Sequence, residues 1–172
     1  MNRHDRRAWI LVAAALVAIC GATLVIHNRA AVSAPAADRL VPLSAEVHTA
    51  YHEFWAAWLA ASARSDPDLP ALSARAANPY LEVLRANLDA SRQQNRVVKG
   101  TVGHGIRGMY DFGSWYRVVD CVDVTQWTIY DRATERRIKQ ALERPNQLGA
   151  TTFERVDGTW KATHGQILGE CP

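Results

Sequence analysis

The chain has 172 residues, with 20 Lys+Arg against 17 Asp+Glu and a formal net charge of +3 at pH 7. Arg3, Arg6, Arg7, Arg29 and Arg39 carry the excess, and Asp5 and Asp38 are the only acids among residues 1–39, so the remainder balances at 15 basic and 15 acidic residues. A neutral remainder lacks the electrostatic footprint of a nucleic-acid binder, and the length leaves room for one domain, not two.

Residues 1–7 form a basic flank, and residues 8–26 run from Ala8 to Ile26 without a charge. At about 1.5 Å per residue that run covers about 28 Å, close to the hydrocarbon thickness of a bilayer. The expectation is a single-pass transmembrane anchor with its N-terminus in the cytoplasm. A cleaved signal peptide ending near Val32-Ser33-Ala34 or Ala34-Pro35-Ala36 is the alternative. Lipidation of Cys20 is a third reading, against which Ile19 stands where a small residue is needed. All three readings export the rest of the chain. Residues 27–43, rich in Ala and Pro, then serve as a linker.

Ser44 is the expected N-cap of a strong helix. Val47, Tyr51, Phe54, Trp55, Trp58 and Leu59 recur at three- and four-residue spacing and give it a broad apolar face. Glu46, His48, His52, Glu53 and Arg64 fall largely off that stripe. Ser65-Asp66-Pro67 ends the helix. A short second helix covers Pro70 to Ala76. Asn78 and Pro79 then read as N-cap and first residue of a third, striped by Tyr80, Leu81, Leu84 and Leu88 and ended by Gln93-Gln94-Asn95.

From Arg96 the apolar period falls to two. Val98, Val102 and Ile106 alternate with polar residues, a turn follows at 111–114, and Trp115 to Val124 is the clearest strand. Trp127 to Tyr130 is another. Residues 132–148 read as a polar connection with a helical turn around Ile138 to Leu142. Within it Arg132, Arg136, Arg137 and Lys139 interleave with acids and read as a solvated loop. Thr151 to Val156 and Thr159 to Leu168 make a hairpin around Asp157-Gly158. Helices first and an antiparallel meander after give the α+β class, with the helices on one sheet face.

Beyond the anchor region the cysteines are Cys121 and Cys171. An even pair in an exported domain points to a disulfide, and closing a loop of that length is worth about 4 kcal/mol in the chain-entropy account. Two free thiols, or a thiol served by His104 or His164, are the other readings. Neither C-x-x-C nor H-E-x-x-H occurs, so neither a metal nor a cofactor is expected.

The stretches AYHEFWAAWLAAS (50–62), DPDLPAL (66–72), VVKGTV (97–102), VVDCVDVTQWTIYD (118–131) and VDGTWKATHGQILGECP (156–172) resemble the nuclear transport factor 2-like superfamily, known through ketosteroid isomerases and polyketide cyclases. The chain is similar to a small exported actinobacterial group within it. The resemblance implies a cone-like domain over residues 44–172, with about three helices packed on a curved antiparallel sheet. It implies little chemistry, because the frame hosts enzymes, binding modules and self-associating domains.

Chemistry inside such a cone needs an acid or base and an oxyanion donor. Asp120 shares strand parity with Tyr116, Val118 and Val122, so it can point inward and act as a base of raised pKa. The plainer reading, which we prefer from sequence, seats it at the mouth or beside Arg117 or Arg107. Asp123 has the opposite parity and reads as solvated. His104, His164 and Tyr51 are the remaining polar candidates, with the two histidines more naturally rim residues. Trp55, Trp58, Trp115 and Trp127 are candidate pocket walls, although large aromatics at such spacing more often fill a core. The resulting expectation is a membrane-tethered accessory domain that binds an envelope protein or an apolar small ligand, with homodimerisation as a further expectation. The alternative is an isomerase or cyclase with Asp120 as base.

Overall fold

The computed structural model describes residues 39–141 and 144–171. The expected anchor at 8–26, its basic flank and most of the linker lie outside the described residues. Among the described residues no helix is long and apolar enough to cross a membrane.

Three helices lead the domain: α1 (Ala45–Ser62), α2 (Pro70–Arg75) and α3 (Tyr80–Gln93). Ser44 caps α1 as its sequence demands, its hydroxyl accepting the Val47 N–H at 3.4 Å. The apolar stripe is the buried one, with Val47, Ala50, Tyr51, Phe54, Ala57 and Ala61 inside. At α3 the boundary differs from the sequence reading. The helix begins at Tyr80, with Pro79 in the cap position after a cis Asn78–Pro79 bond. The Asn78 amide does not cap the backbone, because it donates to the Glu82 carboxylate at 2.8 Å.

Among the described residues seven strands follow: β1 (Arg96–Lys99), β2 (Gly103–Asp111), β3 (Trp115–Asp123), β4 (Thr128–Asp131), β5 (Arg137–Gln140), β6 (Asn146–Val156) and β7 (Thr159–Glu170). They form two antiparallel sheets rather than one meander, a larger one in the order β2-β3-β6-β7 and a smaller one in the order β1-β4-β5. The expected helical turn after residue 137 is instead strand β5. Arg137, Ile138 and Lys139 are all exposed on this edge strand. Charged edges of this kind resist edge-to-edge pairing and carry no alternation to read. Strand β6 also starts at Asn146, earlier than Thr151, where its apolar alternation becomes visible.

The main core lies between the helices and the larger sheet, where Val47, Phe54, Leu72, Leu84, Val118 and Phe153 are almost fully buried. Burial of each such side chain contributes on the order of 1.5–3 kcal/mol. A second cluster, Val122, Val124 and Trp127, meets Trp55, Trp58 and Leu59 from α1. Helix α1 therefore serves both clusters. The linker end is stitched to the β2 edge, with Val41 and Met109 exchanging backbone hydrogen bonds of 2.9 and 2.8 Å. Gly108 permits that approach, since a Cβ there would stand 2.8 Å from the Val41 carbonyl oxygen. Cys121 on β3 is bonded to Cys171 beyond the end of β7. Strand β6 lies between them, with Leu148 paired to both Cys121 and Gly169.

Candidate functional site

The expected inward parity of Asp120 holds. The side chain is on the inner face of β3 and the residue is 1% exposed. Register places Ile106 opposite Asp120 and His104 opposite Val122. His104 is thus the diagonal neighbour of Asp120 on the same sheet face. Tyr51, 1% exposed, reaches the same point from α1. Its hydroxyl donates to Asp120 Oδ2 at 2.6 Å, and His104 Nδ1 stands 2.6 Å from that same oxygen. Asp120 is therefore neither at a mouth nor paired with an arginine. Arg117 lies over the Trp115 ring at 5.5 Å, and Arg107 is exposed on the far face of β2.

Such a carboxylate is tolerable inside only because two donors meet it. An ionised carboxylate only accepts, so with Asp120 charged His104 meets it with a proton on Nδ1. The Tyr51 hydroxyl is pushed well above the usual tyrosine range, first by burial and then by the negative charge of Asp120. It is a committed donor at neutral pH. Asp120 Oδ1 is buried without a partner among the described residues. The rings of Trp55, Tyr51 and His52 surround His104 at 5.1, 5.4 and 5.6 Å.

Beside this network lies a cavity of about 270 Å³. Tyr51 and Trp55 of α1, Tyr80 of α3, Val122 and Trp127, and β6–β7 residues including Ala150 and Ile167 form its wall. Among the described residues no charged side chain contributes to that wall. Asp120 and His104 do not reach it. The Nε1 atoms of Trp55 and Trp127 are buried; that of Trp127 has no acceptor among the described residues, and that of Trp55 is near enough to the Tyr51 hydroxyl to oppose slightly the rise of its pKa. A wall of aromatic and aliphatic side chains suits an uncharged, largely apolar ligand.

The other candidates separate. Trp58 packs edge-on against Trp127 at 6.4 Å, behind the wall. Trp115 stacks on Phe112 at 3.7 Å near the opposite end of β3. His164 is exposed on β7. His104 is not a rim residue, since its side chain is 14% exposed and tied to Asp120. Asp123 is solvated as expected, and hydrogen bonds from the Thr125 hydroxyl and backbone N–H hold its carboxyl below the usual range. The sequence reading missed Tyr80, taken there only as part of a core stripe. Gly165 was the available signal, because a Cβ at that position would overlap the Tyr80 ring. Gln147 and Gly149 of the wall fell in the segment read as a loop and its margin.

No family model matches the chain, and no curated protein matches it. Among solved structures, the chain is similar to the intermembrane space region of the chloroplast protein ARC6, at 12% identity and a TM-score of 0.58, over 76% of this chain and 100% of that one. It also matches a protein of unknown function with a cystatin-like fold from Nostoc punctiforme, at 16% identity and a TM-score of 0.44, over 74% of this chain and 93% of that one. The likeness to the ARC6 region is one of fold. The chain is an α+β domain with helices packed on antiparallel sheet.

Proposed function

We propose that this chain is a membrane-tethered, exported binding domain of the nuclear transport factor 2-like type, and that its cavity takes an uncharged, largely apolar small molecule. The carrying observation is the cavity of about 270 Å³, walled largely by aromatic and aliphatic side chains and, among the described residues, by no charged one. The apolar run at 8–26 and the Cys121–Cys171 bond support export.

The test is to extract the full-length protein from its native membrane in mild detergent and analyse it by native mass spectrometry. A stoichiometric apolar compound is expected, and Gly149→Leu should exclude it. A Cβ at 149 meets only the Gln166 carbonyl oxygen, at 3.6 Å, so the longer side chain has room to enter the cavity. Protein that carries nothing, and whose tryptophan fluorescence ignores a panel of neutral lipophiles, would remove the proposal.

The cluster of Tyr51, His104 and Asp120 favours a second reading, an isomerase or cyclase with Asp120 as base. Against it, both donors already occupy Oδ2, and Asp120 is absent from the cavity wall. A base must come within about 3 Å of the proton it takes, directly or through a water. Turnover of a ketosteroid or polyketide that Asp120→Asn abolishes would establish this second reading in place of the first.

A further inference from the structure

A second group of nitrogens lies on the solvent side of α1, outside the cavity. His48 and His52 are four residues apart, so one helical turn brings both imidazoles to the same face. Both residues are exposed. Their Nε2 atoms stand 3.2 Å apart and their ring centroids 4.4 Å apart. Two nitrogen ligands on one tetrahedral zinc, each at about 2.05 Å, lie roughly 3.3 Å from each other. The pair already has the nitrogen–nitrogen separation that a shared metal ion imposes.

We propose that His48 and His52 chelate one divalent transition-metal ion of the zinc class through their Nε2 atoms, with water completing its coordination. Among the described residues no group of three His, Cys, Asp or Glu side chains is placed to hold a metal. The site is therefore a two-residue, water-completed one, of the open kind rather than the closed structural kind. Imidazole suits zinc, copper and nickel, whereas magnesium and calcium prefer oxygen. Partial desolvation, then the neighbouring His48 and His104, hold the His52 pKa below the usual histidine range. Neutral imidazole is the form that ligates. The His52 ring is also 5.6 Å from the His104 ring, so an ion on the pair sits one ring away from the Asp120 network.

The competing explanation of the short contact is a hydrogen bond between two neutral rings, and the test separates the two. Zinc chloride is titrated into the full-length protein in detergent, with binding followed by calorimetry and the histidine ring nitrogens by 15N NMR. One equivalent should bind at micromolar zinc, and the Nε2 signals of His48 and His52 should move together. His48→Ala and His52→Ala should each weaken that equivalent by at least about tenfold, while His164→Ala, at an exposed histidine elsewhere, leaves it intact. Ring signals unmoved at millimolar zinc in the unsubstituted protein would overturn the proposal. So would an equivalent retained at native affinity in both alanine variants.

Discussion

Gly165 lies directly beneath the ring of Tyr80: a Cβ built at 165 would stand 2.2 Å from the Tyr80 hydroxyl oxygen and 2.4 Å from Cζ. The missing side chain on β7 is what lets α3 lay its first aromatic residue across the sheet and close the cavity. Gly165→Ala should therefore destabilise the domain by about 1–3 kcal/mol, the usual consequence of overpacking. In Tyr80→Ala the added methyl meets no ring and the same change should be nearly silent. Denaturant midpoints for the four chains of the double-mutant cycle measure the coupling directly.

Tyr51 and Asp120 make the buried network sensitive to alkali. Burial and the Asp120 charge raise the Tyr51 pKa, and burial raises that of Tyr80. In the unfolded chain both hydroxyls ionise near pH 10. Above about pH 10 the unfolded state thus holds fewer protons than the native state, and stability falls as pH rises, by up to about 1.4 kcal/mol per unit for each group. Below about pH 10 their contribution is complete. Tyr51→Phe should remove one of the two slopes in denaturation series taken across that range. At neutral pH it should cost about 1–3 kcal/mol, because Asp120 Oδ2 then keeps only His104.

The Cys121–Cys171 bond predicts one linked peptide pair in non-reducing mass spectrometry of exported protein. Two alkylatable thiols in native material would contradict it. Replacing both cysteines with serine should lower stability by up to about 4 kcal/mol, through the freedom restored to the unfolded chain.

Export itself is checked by a C-terminal fusion. An alkaline phosphatase that needs its own disulfides should be active when joined after residue 172, and a cytosolic reporter at the same place should be silent. The opposite pattern would place the domain inside the cell and remove the premise of a tether.

The parts of the fold that bury one face were legible in the chain. The 3- and 4-residue spacing from Val47 to Leu59 located α1, Asp157-Gly158 located the β6–β7 turn, and the parity of Asp120 with Val118 gave its inward direction. What stayed hidden depends on partners distant in sequence. Asp120 is 69 residues from Tyr51 and 16 from His104, and only the docking of α1 on the larger sheet says that all three meet. Strand β5 was invisible because Arg137, Ile138 and Lys139 are all exposed and leave no apolar alternation to read. The plainer reading of Asp120 failed for the same reason, since nearby arginines in sequence point to the other sheet face.

The larger sheet ends at two margins, β2 and β7, and each has fastenings, that of β7 including a bridge from Ala76 to Ala162. The strap at Val41 covers part of the first, and the sulfur bond holds the second through the strand beside it. Ile167 is 63% exposed on that second margin, a sticky ribbon that a neighbouring copy could exchange for its own. With Cys171 bonded to Cys121 of β3, the ribbon cannot peel outward without breaking a covalent bond. Molecules deprived of the clamp should trade C-terminal strands, and their tangled multimers would appear first under reducing conditions.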